Sequence, residues 1–281
     1  PDFLKWMPET ENIICFDKEP GKSKKIISKA DLLFFCDFND PKRTNGIGDH
    51  INSGNNIKVM IDHHPQPVDF VDYMISDTSV SSTSELVFEF IEALEGDVNS
   101  GVEIAECLLT GIITDTGMFH HNSETRRTFE IVGKLLEMGA DKAKVINKLY
   151  NEYPYTRMQL LGNTLHNRLR FYPELATAFV FLTKEDLEKY NHQNGDSEGF
   201  VNMALSIDGA NFSAIFIEKE DHVKISFRSI GKFDVNEFAR KHYQGGGHRN
   251  AAGGKSFDSL TKTIENFVIL LNEYKRAIKQ S

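Results

Sequence analysis

Two short apolar runs in the first third of the sequence constrain the fold more than any other feature. Residues 32–36 and 59–61 are continuously apolar rather than alternating, which is typical of β-strands buried on both faces of a sheet. A polar segment follows each run: Asp37 after the first, and Asp-His-His at 62–64 after the second. Because ligands bind outside the carboxyl ends of strands in open α/β sheets, these residues predict a functional site.

The segments that follow predict helices, and together with the strands they indicate an α/β fold. Residues 81–96 form a helical pattern with Ser82 and Glu85 as a capping box and Gly96 as the stop. Residues 102–115 place apolar side chains at helical spacing. Further along, strand-like runs alternate with short helical segments, which predicts a mixed α/β domain with a small sheet.

Chain length, and a change to β-rich sequence in the second part of the chain, predict two domains. At 281 residues the chain exceeds a typical single domain of roughly 100–200 residues. We expect a first domain over residues 1–152, a helical connector over 153–167 and a smaller second domain over 168–281.

The acidic charge is confined to the first part of the chain. Residues 1–167 hold 16 Lys and Arg against 26 Asp and Glu, a charge of −10, and residues 168–281 hold 16 against 15, or +1, which together give the −9 of the whole chain. Proteins that track long nucleic acids carry basic faces, so this pattern argues against a long nucleic-acid tract as partner. Short phosphorylated substrates stay compatible, because metal ions on carboxylates supply local positive charge.

The cysteine and hydropathy patterns predict the compartment. Three cysteines without CxxC spacing indicate neither a disulfide framework nor a cysteine zinc site. No apolar run approaches the roughly 20 residues of a membrane helix. We therefore expect a cytoplasmic protein without a membrane partner, although a sequence that opens at Pro1 leaves a removed N-terminal segment open.

Three side chains that close apolar runs predict a metal site. Asp37, His63 and Asp115 combine two carboxylates with an imidazole, a ligand set that suits Mn²⁺ or Mg²⁺. Each of them alone is typical of a polar residue at the end of an element, but three such ends at one sheet edge favour a metal. Asp62 would then orient a histidine, and His64 would donate to a substrate phosphate.

A glycine-rich segment near the C-terminus predicts an anion pocket. Gly245, Gly246 and Gly247 lack Cβ atoms, so their N–H groups can approach a ligand closely, and His248 adds a donor beside them. Three glycines alone are typical of a flexible turn. Arg228 closes a strand-like run and can grip a phosphate bidentately, which favours the pocket.

These motifs, in this order, resemble the DHH/DHHA1 phosphoesterase family. The resemblance rests on CDFN at 36–39, Asp-His-His at 62–64, TDTG at 114–117 and GGGH at 245–248, and it covers essentially the whole chain. Within the family, the chain is similar to the bacterial nano-RNA oligoribonuclease/pAp phosphatase branch, also labelled exopolyphosphatase-related.

The resemblance implies an N-terminal DHH domain with a parallel sheet, a smaller C-terminal DHHA1 domain of mixed α/β structure, and an active-site cleft between them. It implies two Mn²⁺ ions, with Mg²⁺ as the alternative, bridged by a hydroxide, and hydrolysis of short oligoribonucleotides or 3′-phosphoadenosine 5′-phosphate (pAp). The implied metal ligands are Asp37, His63 and Asp115. The implied catalytic residue is His64, with Asp62 as its partner, and the implied substrate-binding residues are Arg228, Ser229, Gly246, Gly247 and His248, beside Gly245.

One family motif is absent from residues 1–281. The family's first motif, His-x-x-x-Asp-x-Asp after a strand, supplies further metal ligands, and no such stretch occurs. We expect an N-terminal segment to precede Pro1 in the natural protein, and residues 1–281 alone to form an incomplete metal site.

Two classes of alternative are compatible with the same residues. An enzyme of this family could instead hydrolyse a cyclic dinucleotide, pyrophosphate or a longer single strand; the GGGH segment argues against a pyrophosphatase, and the missing basic groove against a processive exonuclease. A nucleotide-binding protein without catalysis is the second class, and the absent motif favours it. The sequence leaves a homodimer open.

Overall fold

The structure is a computed structural model that describes residues 2–44, 46–95, 101–120, 123 and 125–280. The chain divides into two compact units, a first over Phe3–Glu152 and a second that starts at Tyr153. The finer domain limits expected above, including the connector over 153–167, stay predictions.

The first unit contains a three-stranded parallel sheet, ordered β1-β2-β3. Its strands are β1 (Leu32–Cys36), β2 (Ile57–Asp62) and β3 (Tyr73–Ser76). The two predicted strands are confirmed, and β3, a four-residue strand of sequence Tyr-Met-Ile-Ser, was not predicted. Cys36 pairs with Ile61 in the parallel register, so the residues that follow β1 and β2 meet at one edge of the sheet.

Helices pack beside this sheet and form the largest apolar cluster of the first unit. Phe88, Leu109, Ile112 and Leu135 are all fully or nearly fully buried in it. Leu109 and Ile112, three positions apart in one helix, share its buried face, as helical spacing over residues 102–115 predicts, whereas Ile104 of the same run is 38% exposed. The helices are α1 (Pro20–Lys29), α2 (Thr83–Glu95), α3 (Val102–Asp115), α4 (Arg126–Glu137) and α5 (Lys142–Ile146).

The predicted capping box at the start of α2 is wrong. Ser82 Oγ is buried and has no hydrogen-bond partner among the described residues. The Glu85 side chain instead accepts from the N–H and hydroxyl of Ser81 and from Thr128 Oγ1, the latter at 3.1 Å. Ser81, one residue before the predicted cap, and Thr128 of α4 therefore share Glu85, and Gly96, the predicted stop, lies outside the described residues.

The second unit is built on a six-stranded mixed sheet, ordered β4-β5-β6-β7-β9-β8. β5 and β6 are parallel, and the other pairs are antiparallel. A parallel sheet in the first unit and a mixed sheet in the second confirm the predicted α/β fold class. The strands are β4 (Leu169–Tyr172), β5 (Thr177–Leu182), β6 (Phe212–Glu218), β7 (Val223–Ser229), β8 (Gly246–His248) and β9 (Ala251–Ser256).

Helices cover the two faces of this second sheet unequally. On one face, Phe238 and Phe267 pack with Phe212 and Phe227 of the sheet into an aromatic core. On the other face, the apolar cluster containing α8 covers β5 and β6. The helices are α6 (Tyr155–Asn163), α7 (Lys184–Lys189), α8 (Phe200–Leu205), α9 (Val235–His242) and α10 (Leu260–Lys279).

Candidate metal and active site

The three predicted metal ligands converge in the first unit. His63 Nε2 lies 3.8 Å from Asp37 Oδ1 and 3.8 Å from Asp115 Oδ2, and the ligand atoms of the three residues all lie within 4.8 Å of one another. Asp37 and His63 follow adjacent strands, as predicted. Asp115 is the last residue of helix α3, so the third group comes from a helix end rather than from the sheet edge.

The imidazole of His63 is oriented for metal binding. The side chain is buried, and Nδ1 lies 3.4 Å from the carbonyl oxygen of Val80. Because a carbonyl only accepts, Nδ1 carries the proton in this contact and Nε2 turns its lone pair towards the two carboxylates. Burial, and then the neighbouring His64, lower the pKa of His63. The ring is therefore neutral at pH 7, as a ligand must be.

The two carboxylates favour the binding of a cation between them. The side chain of Asp115 is 38% exposed. Desolvation of its buried part, and then the charge of Asp37, raise its pKa to about 7, since two close like charges disfavour ionisation. Thr83 Oγ1 donates to Asp37 Oδ1 at 2.9 Å, which holds one carboxylate in place. Two oxygen ligands and a neutral imidazole around one point fit a divalent cation.

Asp62 orients His64 beside this cluster. The buried carboxylate accepts from the His64 N–H at 2.9 Å and from His64 Nδ1 at 2.8 Å. Burial by itself would raise the pKa of Asp62, but the hydrogen bonds from His64 and the histidine charges lower it. Asp62 is therefore an anionic partner that occupies Nδ1, and the other ring nitrogen, Nε2, lies 3.4 Å from Arg43 Nη2.

Three residues that contact this site were missed by the sequence analysis as functional: Thr83, Asn39 and Arg43. Asn39 Nδ2 donates to the carbonyl oxygens of His64 and Pro65, at 3.1 Å and 3.0 Å. Arg43 Nη2 lies 3.4 Å from His64 Nε2. The CDFN motif contained Asn39 and was a usable signal. Thr83 lies in SSTSE at 81–85, a segment that also has a counterpart in the family but that helix capping alone explains. Arg43 belongs to no such motif.

In the second unit, cross-strand register places Arg228 and His248 on one face of the sheet. Arg228 of β7 lies opposite Ala251 of β9, which lies opposite His248 of β8. Directly opposed residues project to the same face, and a strand spacing near 4.8 Å separates Arg228 from His248 by about 10 Å. In the neighbouring row on this face, the same three strands carry small residues, namely Ser226, Gly253 and Gly246, and Ile215 of β6 continues the row.

The glycine segment forms an edge strand rather than the predicted loop. Gly246–His248 pairs with β9 as one arm of a hairpin. A Cβ on Gly245 would lie 1.9 Å from the carbonyl oxygen of Gly253, so close backbone approach requires glycine there. The Gly247 N–H donates to Asn236 Oδ1 at 2.9 Å, so in this arrangement it does not serve as an anion donor.

Ser229 is engaged in internal contacts. Its buried hydroxyl donates to the carbonyl oxygen of Phe233 at 2.7 Å and accepts from Asn250 Nδ2 at 2.9 Å. Arg228 is half-buried, and burial lowers the pKa of its guanidinium, against the opposing charge of Glu198. Arg228 and His248 are thus the predicted substrate residues whose side chains project from the partly exposed face.

Comparison with known proteins identifies the family of this chain. The model of the DHH family, N-terminal domain, matches residues 1–112, and the DHHA1 domain model matches residues 174–278. The bifunctional oligoribonuclease and PAP phosphatase NrnA of Bacillus subtilis (strain 168) is 31% identical over 218 residues, or 76% of this chain and 68% of that protein. The probable NrnA of Streptococcus mutans is 31% identical over 273 residues, or 97% of this chain and 81% of that protein.

A solved structure extends the similarity to the whole fold. The crystal structure of an exopolyphosphatase-related protein from Bacteroides fragilis is 40% identical to this chain, with a TM-score of 0.93, and the match covers 99% of this chain and 82% of that one. Family models, curated relatives and fold all confirm the resemblance read from the motifs. The chain belongs to the DHH/DHHA1 phosphoesterase family of enzymes.

Proposed function

We propose that this protein is a Mn²⁺-dependent phosphoesterase that hydrolyses short oligoribonucleotides and pAp. The observation that carries the proposal is the convergence of Asp37, His63 and Asp115 around His63 Nε2. The names of the Bacillus and Streptococcus relatives, which describe oligoribonuclease and PAP phosphatase activities of those proteins, support the choice of substrates.

Asp37, His63 and Asp115 would hold the divalent ion. When bound, such an ion lowers the pKa of water and offsets the negative charge of the reacting phosphoryl group. An imidazole among the ligands favours Mn²⁺ over Mg²⁺, because Mg²⁺ prefers oxygen ligands and gives up its water reluctantly. The two-ion, hydroxide-bridged mechanism that the family resemblance implies stays a prediction.

His64 would handle the proton of the leaving group. Asp62 occupies Nδ1 and stabilises a positive charge on the ring. Nε2 is then the atom that holds a proton and delivers it to the departing oxygen. Asp62→Asn should therefore lower turnover while leaving the metal ligands in place, because the amide cannot serve as an anionic partner.

Arg228 and His248 would grip the remainder of the substrate. Their spacing of about 10 Å across the sheet leaves room for one nucleotide between a cation and an imidazole. The small residues of the next row, Ser226, Gly253 and Gly246, provide a floor on which a flat base can lie. A pocket of this kind supports a nucleotide substrate over pyrophosphate, which would leave the floor uncovered.

The test is a substrate panel assayed with each metal separately. The purified natural protein, including any segment that precedes Pro1, is incubated with pAp, with di- to pentanucleotide RNA, with cyclic di-AMP and with pyrophosphate, in Mn²⁺, in Mg²⁺ and in EDTA, and products are separated by chromatography. We expect AMP and phosphate from pAp, and mononucleotides from RNA, fastest in Mn²⁺ and abolished by EDTA.

The control variants are Asp115→Ala and, on the surface of α4 away from these ligands, Arg126→Ala. Loss of turnover in the first with normal turnover in the second is the expected pattern. Normal turnover by Asp115→Ala would refute the metal site. Binding of pAp without hydrolysis of any substrate would instead identify a nucleotide-binding protein without catalysis.

A further inference from the structure

An arginine outside the predicted site reaches the catalytic histidine. Arg43 ends a short helical turn, Pro41–Arg43, whose start is capped by the Asp40 side chain. Its Nη2 lies 3.4 Å from His64 Nε2, and its Nη1 lies 3.5 Å from Asn39 Oδ1. Both contacts are long for hydrogen bonds, which places the guanidinium at the site without a strong partner there.

Arg43 forms no ion pair with any residue that the structure describes. No described carboxylate oxygen lies within 4.0 Å of its guanidinium. Arg127 in the same unit shows the contrasting case, because it bonds to both Glu89 and Asp77. Arg43 is exposed to solvent, so most of its five donors stay available for an anionic ligand.

The nearby carboxylates already have other partners. Asp62 is occupied by His64, and Asp37 accepts from Thr83 and points at the metal cluster. The site therefore contains one guanidinium that its own acids do not neutralise. A phosphate approaching three aspartates would be repelled, and a fixed cation at this position offsets part of that repulsion.

We propose that Arg43 is a catalytic residue that binds the non-bridging oxygens of the scissile phosphoryl group. Arg43 Nη2 and His64 Nε2 converge on the same space, so a phosphoryl oxygen placed there accepts from the guanidinium while the histidine faces the leaving oxygen. The planar fork matches two phosphoryl oxygens at once, which a lysine ammonium cannot do. This inference rests on the proposed function.

Asn39 is the positioning residue for this arginine. It is buried, its amide nitrogen donates to the backbone that carries His64, and its amide oxygen faces Arg43. The turn with Arg43 and the segment with His64 are therefore linked through one side chain. This linkage sets the register between the guanidinium and the imidazole.

The test compares Arg43→Ala and Arg43→Lys with Lys42→Ala, which removes a neighbouring exposed cation of the same turn. Loss of a charged hydrogen bond lowers kcat/KM by about 10- to 100-fold. We expect this loss for pAp in Arg43→Ala, mostly in kcat, because the contact strengthens as charge develops on the phosphoryl oxygens. Arg43→Lys should be intermediate, and Lys42→Ala should match the wild type within twofold.

Two further readouts separate a phosphate contact from a structural role. Guanidinium ion added to the assay should restore part of the rate in Arg43→Ala and leave Lys42→Ala unchanged. Mn²⁺ affinity, measured by calorimetry, should not fall in Arg43→Ala. A loss of Mn²⁺ affinity equal to the loss of activity would place Arg43 in the metal site and refute the phosphate contact.

Binding of inorganic phosphate in the presence of Mn²⁺ gives a measurement that does not depend on turnover. We expect Arg43→Ala to weaken it at least about tenfold. If the wild type hydrolyses pAp and Arg43→Ala keeps its kcat, KM and phosphate affinity within twofold, the inference is wrong and the proposed function stands. If the wild type hydrolyses none of the substrates, the proposed function fails, and phosphate binding alone decides the role of Arg43.

Discussion

With Asp115 as a metal ligand, as we propose, its carboxyl group should couple metal binding to pH. Burial and the charge of Asp37 raise its pKa to about 7 in the metal-free protein. A metal ligand must be deprotonated, so below pH 7 the proton competes with the ion, and this competition is lost as the pH rises through 7. His63 adds little competition in this range, because its pKa is lowered.

We expect the affinity for Mn²⁺ to rise about tenfold between pH 6 and pH 8, the change that one competing proton with a pKa near 7 produces. Calorimetric titration of the metal-free protein at several pH values measures it. Asp115→Asn should bind the metal more weakly and lose the pH dependence. An unchanged pH dependence in that variant would assign the proton to another group.

At the residue scale, sequence could identify the ligands but not the groups that hold them. Asp37, Asp62, His63, His64 and Asp115 each close an apolar run, which is a local pattern. The supporting contacts join distant positions: Arg43 and His64 are 21 positions apart, Asn39 and His64 are 25, and Thr83 and Asp37 are 46. No periodicity of a single element encodes such pairs.

At the scale of elements, the hairpin of β8 and β9 forms part of the sheet face to which we assign nucleotide binding. Ala251 separates Arg228 from His248 in one cross-strand row. Its methyl group leaves that space open, and a larger side chain would fill it. Leucine is tolerated in strands of a partly exposed sheet face, so the substitution tests the space rather than the fold.

We expect Ala251→Leu to raise KM for dinucleotide RNA by about tenfold or more, an effect comparable to that of Arg228→Ala, which removes a charged hydrogen bond. Hydrolysis of a simple chromogenic phosphodiester, which does not reach this face, should change less. The control is Lys255→Leu at the other end of β9, opposite Lys224. Equal losses with both kinds of substrate would show that this face does not bind the nucleotide.

The sequence predicted helices and strands correctly where apolar residues recur with a clear helical or strand spacing. The runs at β1 and β2, the amphipathic helices and the mixed second sheet follow from it. The predicted capping box does not form, because Glu85 accepts from Ser81, one residue earlier, and from the distant Thr128. The glycine segment became a strand because β9 approaches its backbone closely enough to exclude side chains, and a sequence pattern does not show which backbone lies alongside.

At the scale of the whole molecule, the distribution of charge favours the binding of short RNA over long RNA. The first part of the chain carries −10 and the second +1, and the proposed phosphate contacts are Arg43, Arg228 and the bound metal. We expect binding of a 30-nucleotide RNA in EDTA to be weak, with a salt slope no steeper than about −2, since each phosphate neutralised on a single strand contributes roughly −0.7. Fluorescence anisotropy at several salt concentrations measures it, and a slope steeper than about −5 would reveal a basic tract.

Two further predictions concern the cellular compartment and the oligomeric state of the protein. None of the described helices combines the length and apolar character that crossing a bilayer requires. The cytoplasmic location and the homodimer stay predictions, and both can be measured directly, the second by light scattering of the purified protein. Neither affects the chemistry assigned to the first unit.

The sequence by itself determined the fold class, the family and the identity of the three metal-ligand candidates, because each is written in local apolar patterns and short motifs. Only the tertiary structure decided that Asp115 reaches His63 from a helix end, that Thr83 and Asn39 hold the site, and that Arg43 faces His64. The physical reason is the separation along the chain over which each signal acts. Burial periodicity acts over a few residues, whereas hydrogen bonds, like-charge repulsion and close backbone approach depend on which distant segments meet in space.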